Sequence, residues 1–219
     1  MPKKAFFNLS GKQQDAFFDQ ALETFAHTPY EQTSLSALLK RAGMAKGTFY
    51  QYFFDKLDLY DYLVENVAAM KQFYIKSRII RPMDDFFRLF ELLLRLETAF
   101  SLQHPSFHSL LRYALDPRQT PFSPERINDF RDQHRQDLHT LLIRSQLKGK
   151  VITEADAAMV SFCCQLLLDE FHAYVRQRIE KEKKAPDEAF QHEYVDWIND
   201  SARRMMFLFH RGLSVQKTR

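Results

Sequence analysis

The chain has 219 residues and a formal charge of +3, from 31 basic and 28 acidic side chains, with 45% apolar and 27% charged residues. Its five glycines are about 2% of the residues, against an average near 7%, which excludes collagen-like, low-complexity and glycine-turn-rich β architectures. What remains is an all-α protein of long helices and short joints, large enough to bury a core without disulfides or a structural metal.

The two cysteines, Cys163 and Cys164, are adjacent in an apolar run. They read as small hydrophobes rather than a bridge, which suits a reducing cytoplasm. The N-terminus lacks the apolar stretch of a signal peptide, and no window approaches the roughly 18 uninterrupted apolar residues of a membrane span. A soluble, cytoplasmic protein is expected.

Taken in chain order, a first helix is predicted over 12–27, with Phe18, Ala21, Leu22 and Phe25 on one buried face and Pro29 beyond its end. Thr33 or Ser34 caps a second, short helix whose apolar face is Leu35, Leu38 and Leu39, and Gly43 stops it. A third short helix follows over Ala45–Phe53. Phe49 and Phe53, four apart, face a core, while Tyr50 and Gln51 turn away and Lys46 sits in the open first turn.

A long fourth helix runs from Asp55 through Leu59, Leu63, Val67 and Met70 to Ile80, before Pro82. Further helices are predicted at 83–102, 105–116, 124–148, 154–184 and 187–212. They are separated by Pro105, the Asp116-Pro117 pair with Pro121 and Pro124, Gly149, and Pro186. The charge cluster from Arg176 to Lys184 reads as the solvated end of a helix.

The short helix, glycine turn and short aromatic helix of residues 33–53 form a helix-turn-helix pattern. In such a pair the first helix braces the second, whose N-terminal residues enter the major groove of DNA. Those residues are Ala45, Lys46, Gly47 and Thr48. Gly47 lets the backbone approach closely, Lys46 reaches guanine acceptors or a phosphate, and Thr48 serves a phosphate or a thymine methyl. Tyr50 and Lys56 would clamp the phosphate backbone. Residues 1–60 carry seven basic and six acidic side chains, a balance of 7 − 6 = +1. So slight an excess points to placed hydroxyls, backbone amides and a few cations, and to a dimer reading two half-sites.

Thr33 to Leu59, TSLSALLKRAGMAKGTFYQYFFDKLDL, resembles the DNA-binding signature of the TetR/AcrR family of bacterial transcription regulators. Ala42-Gly43, Gly47-Thr48, Tyr50, Tyr52-Phe53 and Lys56 stand where that signature expects them, and with the preceding helix the resemblance covers about a quarter of the chain. Ala45 departs from the usual serine and removes one hydroxyl contact; Met44 replaces valine, and Leu57 replaces a common acidic residue. The resemblance implies DNA contacts from Ser34 and Ser36 on the second helix, from Lys46, Gly47, Thr48, Tyr50 and Tyr52 on the third, and from Lys56 at the start of the fourth. Structural roles compete at three of these: Ser34 as an N-cap, Tyr52 as core and Lys56 as a cap.

The remaining two-thirds is expected to carry effector binding and dimerisation, giving a domain division of 1–55 and 56–219. In the helix from Glu154, Met159, Cys163 and Leu166 make one apolar stripe and Val160, Leu167, Phe171 and Tyr174 another, so it needs two partners. The last helix lines up Tyr194, Ile198, Met205 and Phe209, with Trp197 and Leu208 beside them. The resemblance implies that these two helices form a four-helix bundle with their copies in a homodimer.

On the helix at 83–102, Phe86, Phe90, Leu93 and Phe100 form a narrow stripe with Glu97 in its middle, where a carboxylate must be paired, protonated or turned to a ligand. The resemblance implies a small-molecule effector that weakens DNA binding. The phenylalanine-rich composition suggests an apolar or aromatic one, with Phe86, Phe90, Glu97, Phe107, Tyr113, Phe130 and Phe162 as candidate lining. His104 and His108 are four apart, but Pro105 puts His104 at a helix cap and no further ligand completes a metal set, so no metal or cofactor is expected.

The reading is a ligand-responsive, homodimeric repressor without catalytic residues. Two alternatives stand beside it: a helical enzyme using Glu97 and a histidine such as His134 as acid and base, and a DNA-binding module regulated by a protein partner. No nucleophile elbow, phosphate loop or HExxH motif supports the enzyme.

Overall fold

The computed structural model describes residues 1–79, 83–182 and 190–213, with the backbone alone described at 131–135, 137, 182 and 190–194. Ile80, Pro82, Pro186 and the side chain of His134 lie outside the described residues, as does the side chain of Tyr194. The described residues form ten α-helices and one 3-10 turn, with no β-strand among them. They fall into two compact units, residues 1–73 with 104–130 and residues 74–103 with 131–219.

The first unit holds α1 (Lys4–Phe7), α2 (Gly11–His27), the 3-10 turn Tyr30–Gln32, α3 (Leu35–Arg41), α4 (Lys46–Tyr52), most of α5 (Lys56–Lys76), α7 (Pro105–Leu115) and the start of α8 (Pro124–Leu147). Its core is strongly aromatic. Phe6, Phe25, Phe49, Phe53 and Tyr60 are fully buried, and Phe53 lies 5.1 Å from Phe6, 5.8 Å from Phe17 and 5.5 Å from Phe49 between ring centroids. Each such pair adds roughly 0.5–1.5 kcal/mol to what burial alone contributes. α7 packs along α2, and Ser106 Oγ donates to Glu23 Oε1 at 2.7 Å. That hydrogen bond leads the causes that hold the Glu23 carboxyl below its ordinary range.

The second unit holds α6 (Phe86–Gln103), the rest of α8, α9 (Ala157–Glu182) and α10 (Phe190–Leu213), with α6 packed on both α9 and α10. Phe86, Phe90, Leu93 and Phe100 of α6 are buried, as the stripe predicts, and Leu94 is buried beside them. α9 buries Val160, Cys164, Leu168, Phe171, Val175 and Ile179. Burial pushes the Cys164 thiol up to about 12, and both cysteines are free.

Several expectations are corrected. α1 is not anticipated; Phe6 buries against the C-terminal end of α4 and so orders a segment too short to hold a helix alone. On α2 it is Phe17 rather than Phe18 that joins Ala21 and Phe25 on the buried face, and Phe18 is only half-buried. Met70 is exposed rather than part of the α5 stripe.

Two helices start three residues later than predicted, because aspartates cap them. Asp85 accepts from the Arg88 amide at 3.1 Å and Asp156 from the Met159 amide at 2.6 Å. On α9, Tyr174 lies on the exposed side rather than with Val160 and Phe171. Arg178, within the cluster expected to be solvated, instead donates from α9 to Asp200 at 3.2 Å and Ser201 at 2.7 Å on α10.

Candidate nucleic-acid interface

α3 and α4 are each seven residues long, and neither would persist alone in water. Their caps and shared core hold them. Ser34 Oγ accepts from the Ala37 amide at 3.3 Å, so it is the N-cap of α3. The buried Thr33 hydroxyl bonds the carbonyls of Thr28 and Pro29, each at 3.1 Å, and closes the preceding turn. Gly43, at φ +63°, takes the left-handed conformation that ends α3 and reverses the chain toward α4. Leu38 and Leu39 on α3, with Phe49 on α4 and Phe53 just beyond it, then fasten the pair to the core.

Burying Phe49 and Phe53 turns the opposite face of α4 outward. Ala45, Lys46, Gly47, Tyr50 and Gln51 are exposed, Thr48 is half-buried, and Ser34 and Ser36 at the start of α3 are exposed as well. Gly47 stands out among them. Its φ is not positive, and a Cβ placed on it would meet nothing within 4 Å. Glycine in a helix costs up to about 1 kcal/mol relative to alanine, and among the described residues neither a close neighbour nor a positive φ calls for it here.

Two of the expected contacts are engaged within the protein. Lys56 Nζ donates to the carbonyls of Tyr30 at 2.8 Å and Thr33 at 3.1 Å and sits 4.0 Å from the Tyr30 ring centroid. It therefore ties the start of α5 to the turn before α3. Tyr52 is half-buried, its ring 5.9 Å from that of Phe6.

Beside α4 an open cleft of about 570 Å³ is lined by Gln13 and Gln20 of α2 together with Arg41, Ala45, Thr48 and Tyr52. Sequence reasoning missed this cleft, since only packing places α2 next to the turn. It also missed Lys3, whose ammonium reaches the Tyr50 carbonyl at 2.8 Å; the Phe6 and Leu9 pair ahead of a Ser10 to Gln13 capping box was the available signal.

The candidate effector residues do not share one setting. Phe86, Phe90 and Glu97 lie on the buried face of α6, with Glu97 only 6% exposed. Phe162 is 49% exposed on α9, and Phe107, Tyr113 and Phe130 belong to the first unit. His104 is the N-cap residue of α7 with Pro105 following it, and no group of three potential metal ligands is found among the described residues. None of the described helices is long and apolar enough to cross a membrane.

Residues 17–63 match the family model described as bacterial regulatory proteins, tetR family. Over 94 residues the chain is 32% identical to YvdT of Bacillus subtilis (strain 168), an uncharacterized HTH-type transcriptional regulator, the match covering 43% of this chain and 45% of that protein. The chain thus matches less than half the length of that relative. A TetR family transcriptional regulator from Chloroflexus aurantiacus superposes with a TM-score of 0.83 at 22% identity, over 99% of this chain and 100% of the other. The regulator FadR from Bacillus subtilis, solved in complex with stearoyl-CoA, gives 0.62 at 18% identity over 88% and 97%. These relatives are transcription regulators, not enzymes. Residues 17–63 thus carry the helix-turn-helix segment described for the tetR family of bacterial regulatory proteins, and the helical fold as a whole is similar to that of the TetR family regulator from Chloroflexus aurantiacus.

Proposed function

We propose that this chain is a sequence-specific DNA-binding repressor that acts as a homodimer and leaves its operator when a small, largely apolar effector binds the second unit. One observation carries the DNA reading. The start of α4 presents its N-cap Ala45 and then Lys46 and Gly47 to solvent, and no described residue crowds the place of the missing Cβ of Gly47. A bare backbone at the entry of a helix is what close approach to base edges or phosphates requires. Ser34, Ser36, Thr48 and Tyr50 add hydroxyls around it. Lys56 and Tyr52 contribute by holding the helix pair in place, and the side chains offered to DNA all lie within residues 1–55.

The dimer reading is supported by apolar side chains exposed on α9 and α10: Met159, Phe162, Leu166 and Tyr174 on the first, and Val195, Phe207 and Leu208 on the second. Met159, Phe162 and Leu166 follow the i, i+3, i+7 spacing of a single helix face. The effector reading draws on the phenylalanine-rich interior around α6 and on the acyl-CoA complex of the structurally similar FadR. Glu97, buried within that interior, would set the polarity of what is accepted there.

The test is selection of bound sequences from randomised duplex DNA, followed by titration at fixed salt. A palindrome-like site is expected, with Lys46→Ala and Tyr50→Ala each weakening it about tenfold or more. Binding that is sequence-blind, or indifferent to both substitutions, would overturn the reading.

A further inference from the structure

We infer that Lys3 is a positioning residue for α4, holding the C-terminal end of the helix that reads DNA; the inference rests on the DNA-binding role proposed above. A seven-residue helix leaves its last carbonyls without intrahelical partners, and a two-turn helix frays unless they are met. The Phe53 amide closes on the Phe49 carbonyl at 2.9 Å. Lys3 meets two more. Its Nζ donates to the Tyr50 carbonyl at 2.8 Å and its backbone amide donates to the Tyr52 carbonyl at 2.7 Å.

The ammonium is also at the negative end of the helix dipole and 4.3 Å from the centroid of Phe54, which is 67% exposed. Three residues on, Phe6 is fully buried, 5.1 Å from Phe53 and 5.6 Å from Tyr62. It anchors α1, so the Lys3 backbone is already ordered when its side chain reaches across. The residue whose carbonyl Lys3 holds, Tyr50, is the one whose exposed ring is offered to the phosphate backbone. Lys4, next in the chain and exposed, provides the same charge without these bonds.

The full-length Lys3→Met, Lys3→Arg and Lys4→Met variants separate positioning from charge when titrated against the selected duplex at several salt concentrations. Lys3→Met is expected to weaken binding about fivefold to tenfold at every salt concentration with an unchanged salt slope. Lys3→Arg should recover most of the loss, and Lys4→Met should stay within about twofold. Without DNA, amide exchange in Lys3→Met should quicken at Tyr52 to Phe54 and remain unchanged in α2 and α5.

A salt slope lower by about one would make Lys3 a direct phosphate contact and overturn the inference. Equal losses in Lys3→Met and Lys4→Met, or unchanged exchange at the end of α4, would overturn it too. If Lys46→Ala and Tyr50→Ala also leave binding intact, the DNA reading fails instead; the exchange measurement needs no DNA and decides the capping role by itself.

Discussion

α4 and α9 each bury one face inside the protomer and leave the other exposed, but the exposed faces differ in kind. α4 turns a lysine, a glycine and a tyrosine outward and buries Phe49. α9 buries Val160, Cys164, Leu168 and Phe171 and exposes Met159, which is 60% accessible, with Phe162 and Leu166. A polar face that includes an open glycine suits a polyanion whose backbone must come close. An apolar face on a helix already packed on one side suits another apolar surface, because exposing it to water costs roughly 25 cal/mol per Å². The two helices thus show how unspent surface indicates the class of partner.

The heaviest loss should come from beneath α4. Phe53→Ala removes a fully buried ring shared by α1, α2 and α4, and chemical denaturation should show a loss of about 3–5 kcal/mol, whereas Leu166→Ala on the exposed face of α9 should change protomer stability little. Equal losses would erase the distinction between a spent and an unspent face.

Charging the apolar faces comes next. In Leu166→Glu combined with Phe207→Glu, sedimentation should report dimer association weakened by about two orders of magnitude while helix content is retained. A dimer that survives the double substitution would mean that these faces are not its interface.

The smallest energy carries the sharpest contrast. Gly47→Ala should leave the fold unchanged or stabilise it by up to about 1 kcal/mol, since the added methyl meets open space, yet it should weaken operator binding. A variant that gains stability and keeps full affinity would remove the argument that this glycine is there for DNA.

Much of the first unit was legible because its signals are local. The N-cap at Thr33 or Ser34, the stop at Gly43, the core pair Phe49 and Phe53 and the exposure of Tyr50 follow from spacing and capping chemistry over a few residues, and packing then selects Ser34. Asp85 and Asp156 were equally local and set the starts of α6 and α9, though apolar periodicity alone drew both helices too long. Lys56 shows where locality ends: it sits in the expected place, but its ammonium is taken up by the carbonyls of Tyr30 and Thr33, residues 26 and 23 positions away.

Helix period, caps and glycine act within one or two turns, and they already specify an all-helical protein, the two short helices with their turn, and the outward face of α4. Packing between helices is what puts Phe17 rather than Phe18 in the core, leaves Phe162 and Tyr174 exposed, and pairs Arg178 with Asp200. The same packing brings Lys3 to the end of α4. Those outcomes depend on what packs against each helix from far along the chain, and periodicity within one helix cannot say which of two apolar faces its neighbours will cover.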